Sequence, residues 1–98
     1  MNPSETELPI SHDAARQRFT TEVDGHQAEI DYRLEGTVMH ITHTGVPAAI
    51  GGRGIAGELT KAALAHAEAS GWTVVPACSY VSAYMLRHPE TRHLKHYK

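Results

Sequence analysis

The run Thr44-Gly45-Val46-Pro47-Ala48-Ala49-Ile50-Gly51-Gly52-Arg53-Gly54-Ile55-Ala56-Gly57-Glu58-Leu59 is where the chain changes character. Ahead of it, apolar residues recur every second position. Behind it, they follow a helical spacing. Gly45-Val46-Pro47 stops a strand, and Gly51, Gly52, Gly54 and Gly57 then crowd the approach to an alanine-rich helix. Glycines let backbone N–H groups approach a ligand with no side chain between. The start of a helix adds unpaired N–H donors and the positive end of its dipole. Arg53 contributes a full positive charge, so the run has the makings of an anion cradle. A tight strand-to-helix turn would use the same glycines. Two familiar phosphate loops are excluded. No Gly-Lys-Ser/Thr follows the glycines, and the loop follows several antiparallel strands rather than the first strand of a parallel sheet.

Working upstream, residues 37–44, 26–34 and 19–23 read as strands. Ala28, Ile30, Tyr32 and Leu34 share one face of the middle segment. Asp24-Gly25 and Glu35-Gly36 supply tight turns, so the three form an antiparallel meander. On the last of them, simple alternation puts Met39, Ile41 and His43 on one face. Val38, His40, Thr42 and Thr44 fall on the other. Working downstream, Ile55–Ser70 reads as a helix with Leu59, Ala62, Ala63 and Leu64 in its apolar stripe and Gly71 as its stop. Residues 72–78 are a short buried strand. Ser79–Arg87 is a second helix on Val81, Tyr84 and Met85, ended by His88-Pro89. The fold class is therefore α+β (mixed α/β), a three-strand meander followed by loop, helix, strand and helix. The polar start, broken by Pro3 and Pro9, is a loose arm. Residues 1–11 precede a single domain over residues 12–98.

The chain has 98 residues, 9 Lys and Arg against 11 Asp and Glu, and one cysteine. That length supports one core, and the charge balance offers no basic face for nucleic acid. A lone cysteine fits a reducing compartment, and neither a leader nor an apolar run of spanning length is present. The expectation is a cytoplasmic monomer or weak dimer without membrane or nucleic-acid partners. Eight histidines raise the question of metal, but His40, His43, Cys78, His88, His93 and His96 lack the tight paired spacing of zinc ligands. No specific metal site is expected.

Thr44-Gly45-Val46-Pro47 followed by Gly52-Arg53-Gly54-Ile55-Ala56 and Leu59 resembles motif A of the GNAT acetyltransferase superfamily. The paired downstream signature Val75-Pro76-Ala77-Cys78-Ser79-Tyr80-Val81, with Tyr84 and His88-Pro89, resembles its compact single-domain YjdJ-type branch. Arg18-Phe19, Gly25, Ala28 and Tyr32 fit as well. The resemblance implies a minimal GNAT-like fold whose sheet is split by a bulge near Val46, with acetyl-CoA (or CoA) lying in the split. It places the pantetheine arm at Thr44, Gly45 and Val46. The pyrophosphate falls at Gly51, Gly52, Arg53, Gly54, Ile55 and Ala56, with Ser79 and Tyr84 on the second helix also at the cofactor. The wider superfamily carries Arg or Gln where Gly51 stands, and the chain stops before the strands that build an acceptor pocket in larger relatives. The implied activity is transfer of acetyl to an unidentified amine, with a non-enzymatic CoA-binding or interaction module as the alternative.

Two residues are candidates for the chemistry. Cys78 stands just before a helix start, where a thiol pKa can fall. It reads equally as a small buried apolar residue. His43 ends its strand beside the implied split and has the chemistry of a general base. The expectation is that Cys78 and His43 flank the acetyl group.

Overall fold

The computed structural model describes residues 8–96. Five strands form one sheet in chain order: β1 (Ser11–Asp13), β2 (Arg18–Val23), β3 (His26–Glu35), β4 (Val38–Gly45) and β5 (Thr73–Pro76). The first four pair antiparallel, and β5 lies parallel to β4. The helix α1 (Ile55–Ser70) makes the crossover between β4 and β5, and α2 (Ser79–Arg87) follows β5. A single 3₁₀ turn, Ala48–Ile50, precedes the glycine loop, and another, Pro89–Leu94, follows α2.

The alternation along β3 buries Ala28, Ile30 and Tyr32. Their partners Met39 and Ile41 on β4, with Val74 on β5, complete the apolar face of the sheet. Leu59, Ala63, Leu64 and Ala67 of α1 and Val81, Tyr84 and Met85 of α2 close over it. Small alanines at the contact let α1 lie close to the strands, and the core is continuous. Both helices cover this one face. The opposite face carries Glu29, Asp31, Arg33, Glu35, His40 and Thr42 toward solvent. Asp24-Gly25 makes the β2–β3 turn with both residues at positive φ. The β3–β4 turn falls on Gly36-Thr37, one residue later than Glu35-Gly36, because Glu35 still pairs with Val38.

Two sequence expectations are corrected. First, the polar start is not loose where it meets the domain. Ser11–Asp13 pair with Arg18–Thr20 as an edge strand, Leu8 and Ile10 pack on the core, and the Thr21 hydroxyl donates to the Pro9 carbonyl at 3.0 Å. The physical reason is the ring of His12, stacked on Phe19 with centroids 4.2 Å apart, which ties a polar segment to the sheet. Residues 1–7 of the predicted arm lie outside the described residues.

Second, the irregularity in β4 is at Thr42, not near Val46. Ile41 pairs with Tyr32 but His43 pairs with Asp31, so Thr42 is an extra residue on β4. Partners across an antiparallel ladder share a face. His43 therefore lies with Asp31 on the open face, and Thr44 lies with Ile30 on the helix-covered face. The alternation expected for His43 and Thr44 is inverted.

Candidate functional site

The parallel β4–β5 ladder ends at Ile41 and Pro76. One more bond, Cys78 N–H to the Ile41 carbonyl at 2.9 Å, closes it. Beyond that point β4 runs on through Gly45, while β5 has given way to α2. The two strands part, and a cleft opens between them. The bulge fixes which backbone groups face it. Ile41 turns its peptide groups toward β5, so ladder alternation with one extra residue turns those of Thr44 the same way. The β4 wall of the cleft thus presents backbone groups that no longer pair with β5.

Cys78 stands at the root of this cleft as the N-cap residue of α2. Its Sγ is 3.5 Å from Thr44 Oγ1. Burial pushes the thiol pKa up, but the Thr44 hydroxyl and the N–H groups of Val81, Tyr80 and Thr44 outweigh it, and the net shift is downward. Each of those donors favours thiolate over thiol. The pairing of Cys78 with Thr44 exists only because the bulge turned Thr44 inward.

His43 is on the other side of β4, half-exposed, with its Nε2 3.1 Å from Glu29 Oε2. The structure therefore does not bring Cys78 and His43 into contact. They border the same opening from opposite faces of the sheet.

The glycine loop meets the cleft from α1. Gly54 is the N-cap at φ 76°, and Gly52 has φ 77°. Both occupy the left-handed region that L side chains avoid. No side chain caps the helix, so the donors of Ile55, Ala56 and Gly57 are of the kind that binds anions. A Cβ at Gly52 or Gly54 would meet open space, so conformation rather than crowding calls for glycine at both. Gly51 differs. Its φ is −69°, and its N–H already donates to the Ala48 carbonyl at 3.1 Å. That donor belongs to the 3₁₀ turn rather than to the cradle. Arg53 is also engaged, its Nη1 lying 2.7 Å from Asp24 Oδ2 at the β2–β3 turn. Ile50, fully buried, anchors the loop from below; its position after Ala48-Ala49 gave no periodic signal.

Past the cradle, a groove of about 600 Å3 runs between α1 and α2. Gly57 faces Tyr80 and Tyr84 there, and a Cβ would stand in ordinary contact, 3.4 Å from the Tyr80 hydroxyl. The Tyr84 ring stacks on His88 at 3.9 Å, and His88 Nδ1–H donates to the Tyr84 carbonyl. Burial, then Glu90, raise the Tyr84 phenol pKa. Lys61 and Arg87 line the walls with Glu58 and Glu68. Ser79 is exposed at the first turn of α2.

Three further histidines each have a partner of their own. His40 approaches Glu35, His93 approaches Glu68, and His96 Nδ1 lies 3.0 Å from the Thr73 hydroxyl. Among the described residues, no three His, Cys, Asp or Glu side chains gather as a metal site. No helix among them is long and apolar enough to cross a membrane.

These features match known proteins. The family model described as GCN5-related N-acetyl-transferase matches residues 18–94. Protein NATD1 of Gallus gallus is 33% identical over 92 residues, covering 91% of this chain and 84% of that protein. Protein NATD1 of Homo sapiens is 33% identical over 91 residues, covering 90% and 80%. The solution structure of a GCN5-like putative N-acetyltransferase from Staphylococcus aureus superposes with a TM-score of 0.73 at 26% identity, covering 92% of this chain and 89% of that one. The family model over residues 18–94, relatives along nine-tenths of the chain and the shared fold lead to one conclusion: the protein belongs to the GCN5-related N-acetyltransferase family.

Proposed function

We propose that this protein binds acetyl-CoA in the β4–β5 cleft and transfers its acetyl group to an amine. The observation that carries this reading is the meeting of three features at one opening. These are the β4 edge at Thr44 that β5 no longer covers, the lowered Cys78 thiol beside it, and the uncapped glycine start of α1. Residues 44–46 offer backbone partners to an amide-bearing pantetheine arm, which needs donors and acceptors along an extended strand. The N–H groups of residues 52–56 suit a pyrophosphate. The groove beyond Gly57, with Tyr84, Lys61 and Arg87, suits the nucleotide end.

Acetyl-CoA supplies an activated acyl carbon. The chain's own residues hold it and manage protons. His43 on the open face takes the proton of an amine arriving from solvent. Cys78, backed by Thr44, stands on the helix side, where it contacts the thioester or returns a proton to the departing sulfur. Rate comes chiefly from positioning, which removes several kcal/mol of barrier (about 7–11 in well-oriented intramolecular reactions).

Among the described residues no helix covers the open face, which favours a second reading, a CoA-binding module without an enclosed acceptor site. Calorimetric titration with acetyl-CoA, followed by a screen of primary amines for CoA release, separates the two. One-site micromolar binding with turnover of an amine supports the enzyme, and binding without turnover supports the module. No heat and no thermal shift at millimolar ligand rules out both.

A further inference from the structure

Gly45 poses a question that the cleft leaves unanswered. Its φ is outside the left-handed region, and it is not at a tight turn. What a side chain would meet there is the ends of two other side chains. A Cβ there would stand 2.5 Å from Glu29 Oε2 and 2.9 Å from His43 Nε2. Glu29 is the cross-strand partner of Gly45, and His43 is two residues back on the same strand. The carboxylate and the imidazole therefore meet above the bare Cα of Gly45, on the open face, just past the point where β5 leaves β4.

We propose that Glu29 is the positioning residue for His43 as the base of the transfer. An ionised carboxylate only accepts hydrogen bonds, so the 3.1 Å contact makes His43 Nε2 the protonated nitrogen. The lone pair is then fixed on Nδ1. Glu29 is the more buried of the two side chains, at 23% exposed against 53% for His43. The inner partner holds the outer one, as a base needs when it must keep one tautomer while remaining open to solvent. The Thr42 bulge is the device that brings His43 to this face. Without it, His43 would project toward the core beneath the helices.

This inference rests on the amine-acetylation reading. In that reaction the amine nitrogen bonds to the thioester carbonyl carbon and the carbon–sulfur bond breaks. The proton lost by nitrogen passes to His43 Nδ1, and the sulfur leaves as the CoA thiolate. Proton return from His43 to thiolate or solvent restores the base. No oxidant or other reactant is needed.

The test has a spectroscopic arm and a kinetic arm. Long-range 1H–15N spectra of the wild type are expected to show His43 in the single Nε2–H tautomer. Glu29→Ala and Gly45→Ala are expected to give averaged tautomers, the second because its new methyl group parts the pair by moving two flexible side-chain ends. Glu29→Gln, which keeps an acceptor oxygen, is expected to restore the wild-type pattern. The same averaged signals in all four proteins would overturn the proposal.

In the kinetic arm, CoA release from acetyl-CoA is followed with a panel of primary amines, butylamine and spermidine among them. Glu29→Ala is expected to lower kcat about 100-fold, the lower end for general-base catalysis, with acetyl-CoA affinity unchanged. An unchanged kcat, or a wild type that binds acetyl-CoA but turns over no amine in the panel, overturns it too. Should calorimetry show no acetyl-CoA binding at all, the functional reading fails instead, and the tautomer spectra still judge the Glu29–His43 pair.

Discussion

The two halves of β4 make an instructive pair. From Val38 to Ile41 the strand is bonded on both edges, and Met39 and Ile41 are fully buried. From Thr42 to Gly45 its only strand partner among the described residues is β3, and its side chains are Thr, His and Thr, with a bare Gly at the end. The first half spends its backbone groups on the sheet and its side chains on the core. In the second half the backbone is free of β5, and each side chain has its own contact, Thr42 with the Asp31 carbonyl, His43 with Glu29 and Thr44 with Cys78. A single inserted residue, Thr42, separates them. It turns Thr44 to Cys78 and His43 to Glu29 in one step.

The difference predicts a division of effects. Ile41→Ala is expected to cost about 2–5 kcal/mol of stability, the range for large-to-small core changes. A domain this size then melts roughly 10 °C or more lower. His43→Ala, two residues on, is expected to change stability by no more than about 0.5 kcal/mol while removing acetyl transfer. Urea unfolding of both variants checks this. Equal destabilisation would show that the second half is structural as well.

A next test concerns the inward turn of Thr44. Because the Cys78 thiol pKa is lowered partly through the Thr44 hydroxyl, Thr44→Val is expected to slow alkylation of Cys78 by iodoacetamide near pH 7 several-fold. At a pH well above the ordinary thiol range the two rates should converge. Equal rates near pH 7 would detach Thr44 from Cys78.

How much of this was legible in the residues follows from the same strand. Periodicity located the meander, and the boundaries Ile55–Ser70 and Ser79–Arg87 follow from Gly54, Gly71 and His88-Pro89. Nothing marked the bulge. Thr42-His43-Thr44 contains no glycine or proline, all three side chains suit either face, and the extra residue shows only in the pairing with Asp31 and Tyr32. Simple alternation therefore inverts the faces of His43 and Thr44 and gives no sign of the Glu29–His43 contact. The edge strand at Ser11–Asp13 was missed for a related reason. Three polar residues carry no periodic signal, and what holds them is ring contact across the fold, with His12 stacked on Phe19 and edge-on to His66 at 4.4 Å.

That aromatic and histidine cluster is the closed counterpart of the cleft, and it titrates differently. Burial lowers the His12 pKa below its ordinary 6.5, and the nearby His66 lowers it further, while Asp13 acts weakly the other way. The unfolded chain then binds the proton more readily than the folded one. The stability due to His12 is complete above pH 6.5 and is lost as pH falls through the lowered value. His12→Phe is expected to flatten this loss in urea midpoints taken between pH 8 and pH 5. An unchanged slope would assign the acid sensitivity elsewhere.

The smallest effect is at the cradle. Arg53 is held by Asp24 in an exposed pair, and such pairs contribute about 0–1 kcal/mol. Asp24→Asn, a residue that tolerates the positive φ of 52°, frees Arg53 and is expected to tighten acetyl-CoA binding by less than about five-fold. Arg53→Ala is expected to weaken it.

The proposed seat of acetyl-CoA is the cleft between β4 and β5 together with the start of α1. Backbone amide spectra recorded during an acetyl-CoA titration test it most directly. The largest shifts are expected on residues 44–46 and 52–56, with Tyr80 and Val81 at the start of α2 moving beside them. Shifts centred on the His12–His66 cluster, or none at millimolar ligand, would contradict it.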